Sequence, residues 1–413
     1  MKPALPHSLT TILILLLITL AFCIIPVAGT ESNTISLEMA GDIPLESGDD
    51  NSRWNTKVLI NNVTSDYPGT CWGTRIFAAA TGPGDVFYLT YFDLNANALV
   101  LVKVDHGKTT AEKVKKRSAR SCGISMDINP VTGTPAVSYR SRNSTPFFAY
   151  KQNGSWNLEN VDNNVTEGYS TSLAFDRAGI PHLAYDDGSS FSNLMYATRN
   201  PDGTWTTEIA DRGIGGHLGN AGKNPQLKIT DAGVYIAHGD GFLYESQRFT
   251  WKPAGKNWTS VTVDRGWGET GTSSITGLTG VSPSFTMGPD GNATIIYEDA
   301  MNQTLMMARG PLANDSFETS VLMDARGKKM DGWYPVLVSK DRSGRGGGHL
   351  VFADSRKSAL SYAEISADPA ILPVKEIVDS HATTCTITSD SAGKPHIFYL
   401  DGMFGRIKHA WLA

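Results

Sequence analysis

The sequence predicts an all-β chain: a seven-bladed β-propeller of four-stranded antiparallel blades, with an N-terminal strand completing the last blade. Three observations carry that expectation. One phrase is written repeatedly, no apolar pattern of helical period extends past the N-terminus, and the final copy of the repeat is one strand short. "GIPHLAYDD" (Gly179 to Asp187) and "GKPHIFYLD" (Gly393 to Asp401) share the frame G-x-P-H-x-x-Y-x-D. A catalytic motif normally appears once, whereas a structural one appears as often as its unit is built.

Weaker copies follow the same frame. Gly precedes Tyr by the same interval at Gly133/Tyr139, Gly179/Tyr185, Gly291/Tyr297 and Gly393/Tyr399. Divergent copies end at Asp93, Asp240 and Asp354, making seven at intervals of about 50 residues, the length of a propeller blade. The third copy shows the blade best. "STSLAFD", "IPHLAYDD", "NLMYATR" and "TWTTEIAD" are four short alternating or apolar runs separated by turn residues. A small sheet cannot cover both of its own faces, and stacking around an axis covers each with the next blade.

Within each blade the elements have local causes. The Gly of each copy permits the tight turn between first and second strands. The Pro after it stands at a strand's start, where a missing N–H costs little. An aromatic often opens the fourth strand: Trp156, Trp205, Trp258 and Phe317. Each buries roughly 150–250 Å² between sheets. The Tyr series is read as packing between blades, and the terminal Asp series as caps of the turn after the second strand. His182 and His396 occupy one repeat position and are read as structural.

The seventh copy supplies "CTITSD", "KPHIFYLD" and "RIKHAWLA", then the chain stops. "RWNTKVLI" (Arg53 to Ile60) has the aromatic opening of a fourth strand and precedes the first blade. It is predicted to pair as the outer strand of the last blade, closing the ring and removing two open edges. Residues 52–413 are then propeller, residues 30–51 a loose acidic leader, and residues 1–29 a signal peptide or an uncleaved anchor. Secretion or display at the cell surface follows, with membrane contact only if the N-terminal segment is retained.

At 413 residues with a net charge of −5, the chain has no basic concentration suited to nucleic acid. Its densest basic run, Lys113 to Arg120, lacks interleaved aromatics and is read as a solvated loop. Sequons at Asn62, Asn153, Asn164, Asn257, Asn292, Asn302 and Asn314 are glycosylation candidates in an exported chain. After the signal, Cys71, Cys122 and Cys385 remain, and a disulfide involving Cys71, with Cys122 as partner, is the leading pairing. Three thiolates with His381 would satisfy zinc by count, but no close ligand pair exists, so no metal is assigned. "DLNAN" (Asp93 to Asn97) lacks the Gly and closing Glu of a calcium loop, "GRGGGH" (Gly344 to His349) lacks the context of a phosphate loop, and no cofactor is expected.

Strands of a blade alternate direction, so the lead-in loops and the second-to-third loops share one face. On these loops the candidate binding residues are Trp72, Arg75, Arg140, Tyr169, Asp187, His217, Asp299, Trp333, Tyr334, Asp354, Arg356 and Asp401. Such a rim suits a glycan or an extracellular protein.

The frame S-L-A-F-D-x-x-G-x-P-H-x-x-Y-x-D, followed by Y-A and G-x-W, resembles repeats of secreted sialidase-like (BNR-type) propellers of bacteria and archaea. "NPDGTW" resembles part of their Asp-box turn. "TRIFAAATGPGDVFYL" is similar to the segment carrying the first arginine of the sialidase carboxylate-binding triad, which implies that role for Arg75. Sialidases resemble six blades rather than seven, and the other two arginines and the Tyr/Glu pair have no counterpart motif. Seven blades also suit some polysaccharide lyases, for which His217, Tyr334 and Arg356 could be assembled. Two functions stand side by side: a non-catalytic binder of a glycan or protein, and a carbohydrate-active hydrolase or lyase.

Overall fold

The computed structural model describes residues 46–47, 53–63, 75–116, 123–141, 143–165, 168–188, 191–214, 220–241, 246–266, 277–288, 290–312, 315–340, 347–354, 359–368 and 370–412. Among them every regular element is a β-strand. They form seven antiparallel sheets, six of four strands and one of five. The first six blades span residues 77–116, 125–160, 171–211, 223–264, 281–321 and 332–380.

The seventh blade closes as the sequence predicts. Ala382–Ser389, Pro395–Asp401 and Arg406–Leu412 are its first three strands, and Trp54–Ile60 is the fourth. Trp54 pairs with Leu412 and Ile60 with Ile407, the register shifting between Val58 and Ile60. Trp54 is buried against Tyr362 of the sixth blade, edge-on at 4.8 Å, and its Nε1 donates to Glu376 at 3.2 Å. The leader is not wholly outside the sheet: Glu46 and Ser47 pair with Thr56 and Asn55 as a fifth edge strand. The basic run also differs from expectation, since Lys113 to Lys116 end the outer strand Lys108–Lys116.

The repeated phrase is the second strand and the turn before it. Gly179 and Gly393 both take φ 79°, a left-handed value that glycine adopts without penalty. Pro181 and Pro395 open their strands. Tyr139, Tyr185, Tyr297 and Tyr399 are fully buried. Three of their hydroxyls reach an aspartate at the outer edge of the preceding blade: Tyr185 to Asp162, Tyr297 to Asp264 and Tyr399 to Asp379. The tyrosines therefore pack between blades and also latch them. At the third-to-fourth junction Arg248 replaces the latch, donating to Asp211 at 2.7 Å beside His238.

The innermost strands face the axis and leave backbone groups without a partner strand. Side chains of the neighbouring blade satisfy several. Ser125 Oγ accepts from the Leu173 amide at 3.0 Å, Ser172 Oγ from Leu227 at 3.0 Å and Ser284 Oγ from Leu337 at 2.9 Å. This collar accounts for the serines in otherwise apolar first strands, because an unpaired buried N–H costs about 1–3 kcal/mol.

Candidate functional site: the axial cavity

The first strands enclose a central cavity of about 470 Å³. The charged groups among its described lining residues are Arg75, Asp127 and Lys228. Arg75, just ahead of the first blade, reaches across the axis and donates to the Pro283 carbonyl of the fifth blade at 3.4 Å. Asp127 accepts from the amides of Phe175 and Ile128, both at 2.8 Å. Lys228 lies over the Phe285 ring, 5.6 Å from its centroid.

Enclosure shifts all three. Burial pushes the Arg75 guanidinium down to about 10, opposed weakly by Cys385. Burial lowers Lys228 too, with Asp127 opposing and Arg75 adding to the shift. Burial pushes the Asp127 carboxyl up to about 6, against the hydrogen bonds from Phe175 and Ile128. Two cations thus share the cavity with one carboxylate.

Three X-Pro steps recur in the first strands, and Asn224, Pro225 and Ser282 of them line the cavity. At Asn224-Pro225, Ser282-Pro283 and Tyr334-Pro335 the ladder between first and second strands skips two residues. Asn224, Ser282 and Tyr334 have φ of 48°, 48° and 54°. Proline is tolerated inside a sheet at such bulges, and left-handed non-glycine residues concentrate at functional sites. Asn224 lines the cavity, is 4 % exposed, and neither its Oδ1 nor its Nδ2 has a hydrogen-bond partner. A buried amide left in that state is costly unless something else completes it.

The predicted rim divides. Arg75 lines the cavity. Tyr169 is 49 % exposed, with the Lys223 ammonium 4.9 Å from its ring centroid. Trp333 and Tyr334 are half-buried at the third bulge. Asp187 is half-buried and accepts from Asn193.

Others turn inward and leave the rim. Arg140 is wholly buried and donates to the carbonyls of Ser144 and Ser170 and to Asp186. Asp299 and Asp401 are buried turn caps, accepting from the backbone amides of Met301 and Met403 respectively, each two residues on at the chain reversal. Asp354 is buried and paired with Lys375. Each of these four is consumed by its own surroundings because a buried charge requires partners. Trp72, His217, Arg356, Asn314 and the Cys71–Cys122 pairing lie outside the described residues. Cys385 is a buried free thiol, raised by burial to about 12. Asn62, Asn153, Asn164, Asn257, Asn292 and Asn302 are all exposed.

Sequence reading missed Lys228, Asp127 and Asn224. The signal for Asn224 was the X-Pro step near the start of a first strand, which recurs in the fifth and sixth blades.

Glu298 stands apart from the cavity's lining. It is fully buried, Oε1 has no partner and Oε2 accepts from the Tyr334 amide at 3.4 Å. Burial pushes its carboxyl up to about 8 from an ordinary 4.5. The folded state therefore holds this proton longer than the unfolded chain does. Stability from this group is fully present below about pH 4.5 and is lost as pH rises through about 8. Glu298→Gln is expected to remove that decline, gaining on the order of a few kcal/mol over wild type above pH ~8 and little near pH ~5. Urea unfolding at both pH values checks it, and equal differences at the two would contradict the assignment.

No family model matches the sequence, and no curated protein matches it. The sialidase-like resemblance therefore has no support from those comparisons. Solved structures share the architecture. A lectin, BP39L from Burkholderia pseudomallei, superposes with a TM-score of 0.60 at 13% identity, covering 83% of this chain and 96% of its own. The polysaccharide lyase Uly1 gives 0.50 at 11%, covering 81% and 88%. The GH93 α-L-arabinofuranosidase of Fusarium graminearum, in complex with arabinobiose, gives 0.50 at 11%, covering 88% and 98%. At such identities the likeness shows the propeller fold alone.

Proposed function

We propose that the chain is a secreted, non-catalytic propeller that binds a glycan at the axial cavity, the glycan bearing a carboxylate or sulfate. The observation that carries this reading is the orphaned Asn224 amide in a cavity where Arg75 and Lys228 outnumber Asp127. An acidic sugar answers each feature. Its anion meets the two cations, its hydroxyls can complete the amide once the Asn224 side chain turns toward the cavity, and its ring fits a polar-lined space. Two of the similar folds belong to a lectin and a polysaccharide lyase, which is compatible with a carbohydrate ligand. Glycoside hydrolysis commonly uses two carboxyl groups about 5–10 Å apart. Among the described lining residues Asp127 is the one carboxyl, which favours binding over hydrolysis.

A glycan array probed with residues 30–413 tests the reading. Acidic glycans are expected to dominate the hits. Arg75→Ala and Lys228→Met should each weaken binding about ten- to a hundredfold, the range of a lost charged hydrogen bond. Asn224→Gly, which retains the left-handed backbone, should weaken it less. Hits confined to neutral glycans, or indifference to all three variants, would sink the proposal. New reducing ends released from a bound glycan would transfer the site to the enzyme reading.

A further inference from the structure

A second cavity, of about 380 Å³, lies between the seventh and first blades on the opposite face, among the first-to-second and third-to-fourth turns. Its origin is visible by comparing blade junctions. In five blades the outermost strand opens with an aromatic that wedges between sheets: Trp54, Trp156, Trp205, Trp258 and Phe317. Trp205 packs on Phe148 at 5.5 Å, Trp258 on Tyr196 at 5.2 Å and Phe317 on Phe249 at 5.4 Å. At the fifth-to-sixth junction Arg309 extends to the carbonyls of Ser366 and Ala367 instead. In the first blade the corresponding position is Thr109, paired with Val104 as Trp205 is paired with Arg199. Thr109 is too small to fill the wedge, and the space remains open.

The walls of this space are rings. Phe87 stacks on His396 at 4.0 Å, His396 and His409 share a hydrogen bond of 2.9 Å, and Trp411 packs on His409 at 4.9 Å. Its rim is polar, with Lys57, Asp85, His106 and Asp390. Lys57 occupies the place held in the second and third blades by Glu159 and Glu208, three residues after the wedge aromatic. There Glu159 accepts the indole N–H of Trp205 at 3.2 Å. So the acceptor suited to an indole is exchanged for a donor where the aromatic itself is missing. The Lys57 ammonium spends one hydrogen bond on the Gly107 carbonyl, at 3.2 Å, and an ammonium has three to give.

We infer that this wedge is a binding site for a single pyranose ring, seated among Phe87, His409 and Trp411 with its hydroxyls toward Lys57 and the two aspartates. The ring takes the place of the absent aromatic in a space of about 380 Å³. A hydroxyl both donates and accepts, so one sugar can serve an ammonium and carboxylates together, whereas an indole N–H only donates and meets Lys57 through its ring face alone. The site shares a carbohydrate ligand class with the axial cavity but uses none of its residues.

Saturation-transfer NMR with the methyl glycosides of glucose, galactose, mannose and N-acetylglucosamine tests the site. At least one is expected to receive saturation from the protein. Thr109→Trp, which rebuilds the missing wedge, should abolish that signal while leaving the melting temperature unchanged or raised. Trp411→Ala should weaken binding by at least about tenfold, and it tests the site independently if Thr109→Trp folds poorly. Arg75→Ala should leave this signal intact, so failure of the axial reading and failure of this one are separable. Three results overturn the inference. These are no transfer to any glycoside, transfer that survives both wedge variants, and binding of N-acetyltryptophanamide that no glycoside displaces. The last would assign the wedge to an aromatic side chain of a protein partner.

Discussion

Removing residues 53–60 is expected to abolish cooperative folding of the whole ring. The strand contributes one complete edge of the seventh blade and buries Trp54, Val58, Leu59 and Ile60. Without it the third strand, Arg406–Leu412, becomes an open edge, and the sixth blade loses the ring that covers Tyr362. The graded version is Trp54→Ala, expected to cost about 3–5 kcal/mol through lost burial and an uncollapsed wedge. Chemical denaturation followed by circular dichroism measures it. A permutant supplies the rescue. Trp54 pairs with Leu412, so a short hairpin turn can carry residues 53–63 directly after residue 412. That chain should fold, since the sheet is restored and only the connection changes. A truncated chain that melts like wild type would contradict closure by this strand.

Arg140→Met is expected to destabilise by about 3–5 kcal/mol, the range for breaking a buried ion pair from one side. The guanidinium and the Asp186 carboxylate are both wholly buried, 3.0 Å apart. Asp186 also accepts from the amides of Tyr169 and Ser170, which fixes the loop leading into the third blade. Loss of the arginine leaves that carboxylate with Lys223, 3.7 Å away, as its neighbouring cation. The space is tailored to the arginine: a Cβ on Gly168 would stand 2.2 Å from the guanidinium carbon, so Gly168→Ala should be destabilising for the same reason. The double variant Arg140→Met/Asp186→Asn should recover part of the loss, because no buried carboxylate is then stranded and Lys223 keeps its contact with the Tyr169 ring. Because both groups are sealed from solvent, the single-variant cost should change little between low and high salt. A cost below about 1 kcal/mol would place Arg140 among ordinary surface residues.

The architecture was legible in the sequence because a blade's needs are local and repeat. A glycine turn, a proline at a strand's start, a Tyr facing the neighbouring sheet and an aromatic opening the outer strand all recur at fixed offsets. Closure was legible because one repeat lacked a strand and one orphan segment matched it. The site was less legible because the same residue types serve two purposes. An Asp after the second strand reads equally as a turn cap or as a ligand contact, and Asp299 and Asp401 prove to be caps. An Arg beside it reads as a rim cation, and Arg140 proves to be interior. The cavity's own cation Lys228 sits in a strand of alternating polar and apolar residues, "QLKIT", where nothing in the local pattern distinguishes it from a solvent-facing lysine. What makes it special is the neighbourhood of Arg75 and Asp127, which come from elsewhere in the ring. The wedge between seventh and first blades was hidden differently. Its signal is an aromatic that is missing at Thr109, and a missing residue is noticed only against an aligned set of blades.

Closure by the first strand also orders events in time. Trp54–Ile60 emerges from the ribosome before all six complete blades, and its partner Arg406–Leu412 emerges after them. Until then the early strand has only the two-residue strand Glu46–Ser47 beside it among the described residues, and joining it to Arg406–Leu412 closes a loop of most of the chain at a high entropy cost. The ring is consequently held open until the third strand of the seventh blade has been made, so the first of that blade's four long strands to be synthesised is among the last to be fixed in place.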